Sequence, residues 1–229
     1  MNAMRLPRAR ISTAHLALLL AIGLSLTLSA WAYGSGDLWS YLDDSVPEGQ
    51  LVYVISKACA LSGVVLVWIQ ILAGLTIASR GTVAPHISVQ WHQQIGVAVL
   101  VMLLLHWATF VTGVSMRLDH FATDYITPTF SHGFYRTIVS LGMLSLIAML
   151  IASAAALLRK RFKYWRAVHV LASIGAVGGA IHSWLIGSET RMGAVKWLYI
   201  FMIVTLACAL LWRLVWGWSR MGMQQKAEA

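Results

Sequence analysis

Charge is scarce in this sequence. Only 11% of its 229 residues are Asp, Glu, Lys or Arg, against about a quarter in an ordinary soluble domain. Cysteine is scarcer still. Cys59 and Cys208 each stand alone inside an apolar block, so there is no CxxC to build a zinc knuckle or a thioredoxin-type motif, and no CxxCH. Both read as small apolar filler. No GxGxxG follows a strand-like segment, and no GxxxxGK followed by Ser or Thr occurs, which excludes a visible nucleotide-binding domain. Acids are few as well, 8 against 17 Lys and Arg. The resulting net charge of +9 does not indicate nucleic acid, because the basic residues cluster beside apolar blocks.

What is present in excess is apolar. Hydrophobic residues make up 59% of the chain, with a mean hydropathy of +0.73 and 11 tryptophans. The excess is laid out in six blocks, roughly 11–33, 55–78, 89–114, 136–158, 165–187 and 196–218. Each is near the ~20 residues that a helix needs to cross the hydrocarbon core, and Trp collects at membrane interfaces. The expected fold is an all-α bundle of six transmembrane helices, a single domain over 1–229, with lipid as its surroundings. No internal repeat or low-complexity segment interrupts it.

Charge orients the set. With the N-terminus in the cytoplasm, the inner segments hold Arg5, Arg8, Arg10, Arg80, Arg159, Lys160, Arg161, Lys163, Arg166, Arg213, Arg220 and Lys226. The outer ones hold only Lys57, Arg117, Arg136, Arg191 and Lys196. This is a positive-inside bias, and it predicts that both termini are cytoplasmic. Seven of the eight acids fall outside: Asp37, Asp43, Asp44, Glu48, Asp119, Asp124 and Glu189. The first block has a basic start and a small-residue pattern at Ser29-Ala30-Trp31-Ala32, as a signal peptide would. Its apolar run is longer than a usual signal core, so a retained helix is expected. Cleavage would leave the other five in the same orientation.

Titratable residues inside membrane helices are costly and therefore functional candidates. His15 lies near the inner end of the first block, His86 in an inner loop, and His120 and His132 in the outer loop after the third block. The other four form two pairs. The third block carries His92 and, fourteen residues on, His106; the fifth carries His169 and, thirteen residues on, His182. These blocks are separated by one helix and so run parallel. At 1.5 Å per residue the two levels lie about 20 Å apart, which suits two cofactors stacked within a core about 30 Å thick. His92 would face His169 at the inner level, and His106 would face His182 at the outer one.

Phase supports one helix better than the other. Fourteen residues at about 100° each return to within about 40° of the same face, whereas thirteen miss by about 140°. The fifth helix therefore requires tilt, a change of pitch or a bulge, for which Gly175, Gly178 and Gly179 offer a place. Gly96, Gly178 and Gly179 lie three or four residues from a paired histidine, where a flat macrocycle would need space. Small residues at ordinary membrane-helix contacts would look the same. A lone membrane histidine is more often a hydrogen bonder between helices than a ligand, but two near-matched pairs on parallel helices are hard to explain that way.

The fourteen- and thirteen-residue steps on the third and fifth of six helices resemble the ferric reductase-like transmembrane domain. The surroundings WHQQIG and HWATF and the basic approach RKRFKYWRAVH add to the likeness, which covers most of the chain. The family includes ferric reductases, NADPH oxidases and the heme-bearing membrane subunit of the bacterial methionine sulfoxide reductase system. The resemblance implies that His92, His106, His169 and His182 ligate two b-type hemes. Ferric reductases and NADPH oxidases continue into a cytosolic flavin- and NAD(P)-binding part. Here the sequence stops soon after the sixth block, so the expected likeness is to the stand-alone subunit type, with FAD or FMN supplied by a partner. That type often lacks the first histidine of the third helix, whereas His92 is present here.

The function expected from this resemblance is transmembrane electron transfer in a bacterial inner membrane. Electrons would come from a cytoplasmic flavin reductase or quinol and leave to an outer-face acceptor, a periplasmic reductase or ferric iron. Arg80, Lys163 and Arg166 on the inner side, and Arg117, Arg136 and Arg191 on the outer, are candidate partners for heme propionates. Topology and lipid contact are the commoner roles of such residues. Two other readings share some of these features. A respiratory cytochrome b-like subunit also carries paired histidines on parallel helices. A proton or metal transporter would use intramembrane histidines but should show acids within its helices, and here every acid lies at an end or in a loop. Asp119, His120, Asp124 and His132 form a further polar group, best read as a solvated loop.

Overall fold

A computed structural model describes residues 13–35, 40, 45–78, 89–130 and 133–228 of the chain. All regular structure among them is helical. It comprises α1 (Thr13–Ser35), α2 (Gln50–Ala78), α3 (Val89–Leu118), α4 (Gly133–Leu157), α5 (Trp165–His169), α6 (Leu171–Ile186) and α7 (Gly193–Glu228), with single 3₁₀ turns at Thr123–Tyr125 and Glu189–Arg191. Five helical segments are long and apolar enough to cross a membrane: Gln50–Ile77, Val89–Leu118, Gly133–Leu157, Trp165–Ile186 and Gly193–Val215. The first block is also helical, but its apolar stretch, Leu20–Tyr33, is shorter than those five. The start of the 11–33 block, Arg5, Arg8, Arg10, Arg80 and the acids Asp37, Asp43 and Asp44 lie outside the described residues.

The elements extend beyond the apolar blocks for local reasons. α2 begins at Gln50, five residues before its block, because Gly49 turns the chain at φ +74 and its carbonyl accepts from Tyr53 N–H at 2.9 Å. A left-handed φ of this kind favours glycine. A side chain there would also strike the backbone of Gly113, where the start of α2 crosses α3 closely. α7 continues past its block through Met-Gln-Gln-Lys-Ala-Glu, all good helix formers.

α2 is the central element. It packs along its length against α3 and also meets α1 and α7. One apolar cluster joins Trp31 of α1, Val54, Leu61 and Val65 of α2, and Val195, Tyr199 and Met202 of α7. A second joins Leu66 of α2 to Ile95 and Val99 of α3. α4 packs closely against α5 and α6 to form a separate pair. Between these two halves α3 meets α4 lightly, and α3 and α6 scarcely touch. Most side chains on the spans face outward and are apolar, among them Val97, Val101, Leu104 and Leu105 on α3 and Ile174, Val177 and Ile181 on α6. Only 6% of the most apolar window of the α5–α6 span is buried, a pattern suited to contact with lipid rather than water.

Candidate functional site

The fifth block is one span made of two helices. α5 ends at His169 and α6 starts at Leu171. Around the join, Val170 N–H donates to Ala167 O at 3.3 Å and Ser173 N–H to Val170 O at 2.9 Å. These are i→i+3 bonds, the tighter 3₁₀ pitch. Each residue wound at that pitch adds about 20° over α pitch, so a three-residue turn recovers about 60° of the 140° phase error. The change of pitch expected on this helix thus falls immediately after His169, not at its glycines.

Those glycines have a different use. A Cβ on Gly175 would sit 2.7 Å from Ser145 O, and one on Gly178 would strike the Ser145 hydroxyl. Both allow α6 to approach α4. Gly96 faces the Gln70 amide of α2, 3.0 Å from where its Cβ would be. Gly96 and Gly178 therefore serve helix packing, the alternative open to them from sequence.

His92 and His169 meet across the two halves: their rings have centroids 6.4 Å apart with planes at 74°. His106 and His182 lie further along the same spans, His106 against Ser56 of α2 and His182 against Ile138 of α4. Since the first histidines of α3 and α5–α6 share one level and the second share the other, these two spans run parallel. All four side chains are half-buried.

Hydrogen bonding fixes the ring nitrogens. His182 Nδ1 lies 2.7 Å from Ile138 O, His106 Nδ1 3.0 Å from Ser56 O, and His169 Nδ1 3.4 Å from Ala152 O. A carbonyl only accepts, so each Nδ1 carries the hydrogen and each Nε2 keeps its lone pair. This is the arrangement of a metal-ligating histidine, whose other nitrogen donates to a carbonyl or carboxylate. His92 is held differently. Its Nε2 lies 3.3 Å from the Gln70 amide, and its Nδ1 is buried without a partner.

A metal held between opposed imidazoles at about 2.0–2.1 Å per nitrogen separates the ring centres by roughly 6 Å, close to the His92–His169 separation. Imidazole suits iron among the transition metals. The donor set and the lack of direct α3–α6 packing fit a planar iron group held by one pair at each level. In this arrangement Gln70 must release His92. Among the described residues no three of His, Cys, Asp and Glu group as a metal cluster, and the site is one of pairs.

Several residues in contact with the histidines went unremarked in the sequence. Gln70 is a polar position deep in the apolar run of α2, and polarity at that depth is a signal; Ser56, beside Lys57 at the start of the run, gave little. Gly142 gave none. A Cβ there would meet His182 Nδ1 at 2.5 Å and Cε1 at 2.6 Å, so the missing side chain makes room for the imidazole.

The remaining candidates are placed as follows. Arg117 reaches Gln50 Oε1 and stacks 5.3 Å from the Tyr53 ring. Arg136 pairs with Asp124 at 2.8 Å and stacks on Tyr125. Lys163 and Arg166 lie over the Tyr164 and Trp165 rings, and Arg191 ends the 3₁₀ turn Glu189–Arg191. Arg117 and Arg136 are thus engaged within the protein. In the polar loop, Asp119 has φ +54 and His120 Nδ1 donates to Leu118 O at 2.8 Å. His86 and His132 lie outside the described residues, as does the side chain of His15. Cys59 and Cys208 are free thiols.

The fold and site define an all-helical protein with several spans fit for a membrane, in which His92 and His169 face each other and His106 and His182 stand further along the same two spans. Comparison with protein-family models, with curated proteins and with solved structures gave no match.

Proposed function

We propose that this chain carries electrons across a membrane through two b-type hemes, one held by His92 and His169, the other by His106 and His182. The observation that supports it most is the shared hydrogen bonding of three rings, His106, His169 and His182, which commit Nδ1–H to a backbone carbonyl and leave the lone pair of Nε2 for ligation. A heme with imidazole on both faces has no open position and supplies one-electron outer-sphere transfer. The chain's own part is to hold and shield. Ile138 O, Ser56 O and Ala152 O fix three rings, Gly142 admits the His182 ring, and the apolar faces of α3 and α6 exclude water.

In this reading the chain is a six-span protein of a bacterial inner membrane with both termini in the cytoplasm. The His92–His169 level is then the inner one. A separate flavin reductase or quinol delivers electrons there, and a periplasmic reductase or ferric chelate receives them near the segment from Arg117 to Arg136. The test is a dithionite-reduced minus oxidised spectrum of the purified protein with a heme assay. The expected result is b-type bands at two hemes per chain. A chain free of heme after expression in heme-sufficient cells would defeat the reading and leave a transporter or structural role for the histidines.

A further inference from the structure

Ser56 is buried, with 1% of its surface exposed, in the second turn of α2, a helix that carries no histidine of its own. Its hydroxyl lies 2.9 Å from His106 Nδ1 and donates to His106 O at 3.1 Å, while its carbonyl lies 3.0 Å from the same Nδ1. The hydroxyl has one hydrogen, and the His106 carbonyl can only accept, so that hydrogen is committed to the carbonyl. Only the oxygen lone pairs remain to face Nδ1. One residue therefore presents two acceptors to Nδ1–H and at the same time ties the backbone of α3 to α2. His182 has a single carbonyl for the same purpose, and His92 meets the Gln70 amide. The rings are thus unlike in how strongly they are polarised.

The geometry points to Ser56 as a positioning residue that fixes the tautomer and direction of His106 and sets the reduction potential of the group this histidine holds. The inference rests on the proposed heme function for its redox part alone. An acceptor on Nδ1–H pushes electron density toward Nε2 and favours the ferric ion over the ferrous one. Partners of this kind change metal affinity by about 10–100-fold.

The test compares wild type with Ser56→Ala, which keeps the backbone acceptor and removes the hydroxyl. Ser62→Ala serves as control, because Ser62 is also buried on α2 but has no hydrogen bond to a histidine. In a potentiometric titration of the heme-loaded protein, Ser56→Ala should raise the midpoint of one component only, the one missing from His106→Ala. The shift expected is up to about tenfold in the ferric-to-ferrous equilibrium, about 59 mV for one electron. Ser62→Ala should move neither component. An unchanged potential in Ser56→Ala, or equal shifts of both components, overturns the proposal. Nitrogen NMR of ring-labelled histidine supplies a reading that needs no heme. His106 should carry its hydrogen on Nδ1 in both proteins, held by the Ser56 carbonyl, but its Nδ1–H resonance should move upfield in Ser56→Ala, where one of two acceptors is lost. A wild-type protein without heme defeats the function proposed above but not the positioning of His106. A wild-type His106 protonated on Nε2, or an Nδ1–H resonance unaffected by Ser56→Ala, defeats the positioning.

Discussion

Gly142 marks how closely the histidines are fitted. Its position on α4 is filled by the His182 ring, and a single methyl there would lie within 2.8 Å of three ring atoms. An imidazole pressed that closely must rotate, which breaks its bond to Ile138 O. Gly142→Ala should therefore cost the His106–His182 heme while leaving the other in place, a loss of one heme of two in a pyridine hemochrome assay. The same loss is expected from His106→Ala and His182→Ala, and loss of the other heme from His92→Ala and His169→Ala. His15→Ala, His120→Ala and His132→Ala should leave heme content unchanged. A Gly142→Ala protein with both hemes would show that His182 is not confined as described. The histidines were legible from sequence because an imidazole in hydrocarbon is costly enough to stand out. Gly142 was not, since a glycine in a membrane helix is common and its meaning depends on which ring from another helix comes to lie over it.

At the scale of elements, the connection before α7 is tied to α2 by one ion pair. Lys57 Nζ lies 2.7 Å from Glu189 Oε1, and both it and Glu189 bond the Ser188 hydroxyl. Burial pushes the Glu189 carboxyl up, but the hydrogen bonds from Lys57 and Ser188 and the Lys57 charge outweigh this and hold it below its usual 4.5. A depressed carboxyl favours the folded state above its unfolded value, and that contribution fades as pH falls through the folded value. Acidification to below 4.5 should thus lower the melting temperature in detergent, and Glu189→Gln should lack that part of the slope. A partly exposed pair of this kind contributes about 1 kcal/mol or less, so Glu189→Gln should still fold at neutral pH. Equal acid sensitivity in the two proteins would rule the pair out as the cause. The sequence put Lys57 and Glu189 on one side of the membrane through charge counting, without showing that they meet. The pitch change at Val170 was equally hidden. Phase arithmetic demanded a distortion in the fifth block, and glycine was the available marker, yet the tight turn formed at a β-branched residue beside His169.

The described residues form two tightly packed units, α2–α3 with α1 and α7 against α2, and α4–α6, between which α3 meets α4 lightly. Electron transfer through such a unit is vectorial only if donor and acceptor sit on opposite sides, and orientation is carried by charge. In the proposed six-span arrangement, twelve of the 17 basic residues fall on one side. In intact cells, a cysteine introduced at Arg161 should be protected from an impermeant label and one at Asp124 should react; the reverse would exchange the inner and outer levels. In the proposed function a separate flavin reductase or quinol is the donor, which predicts that NADPH alone does not reduce the hemes. In liposomes with NADPH sealed inside and ferric chelate outside, the hemes should stay oxidised until a flavin reductase or a quinol is added, and the chelate should then be reduced. Fast heme reduction by NADPH with no other protein and no quinone would mean that the chain accepts hydride-derived electrons directly, and the role of a membrane electron-transfer subunit would have to be abandoned.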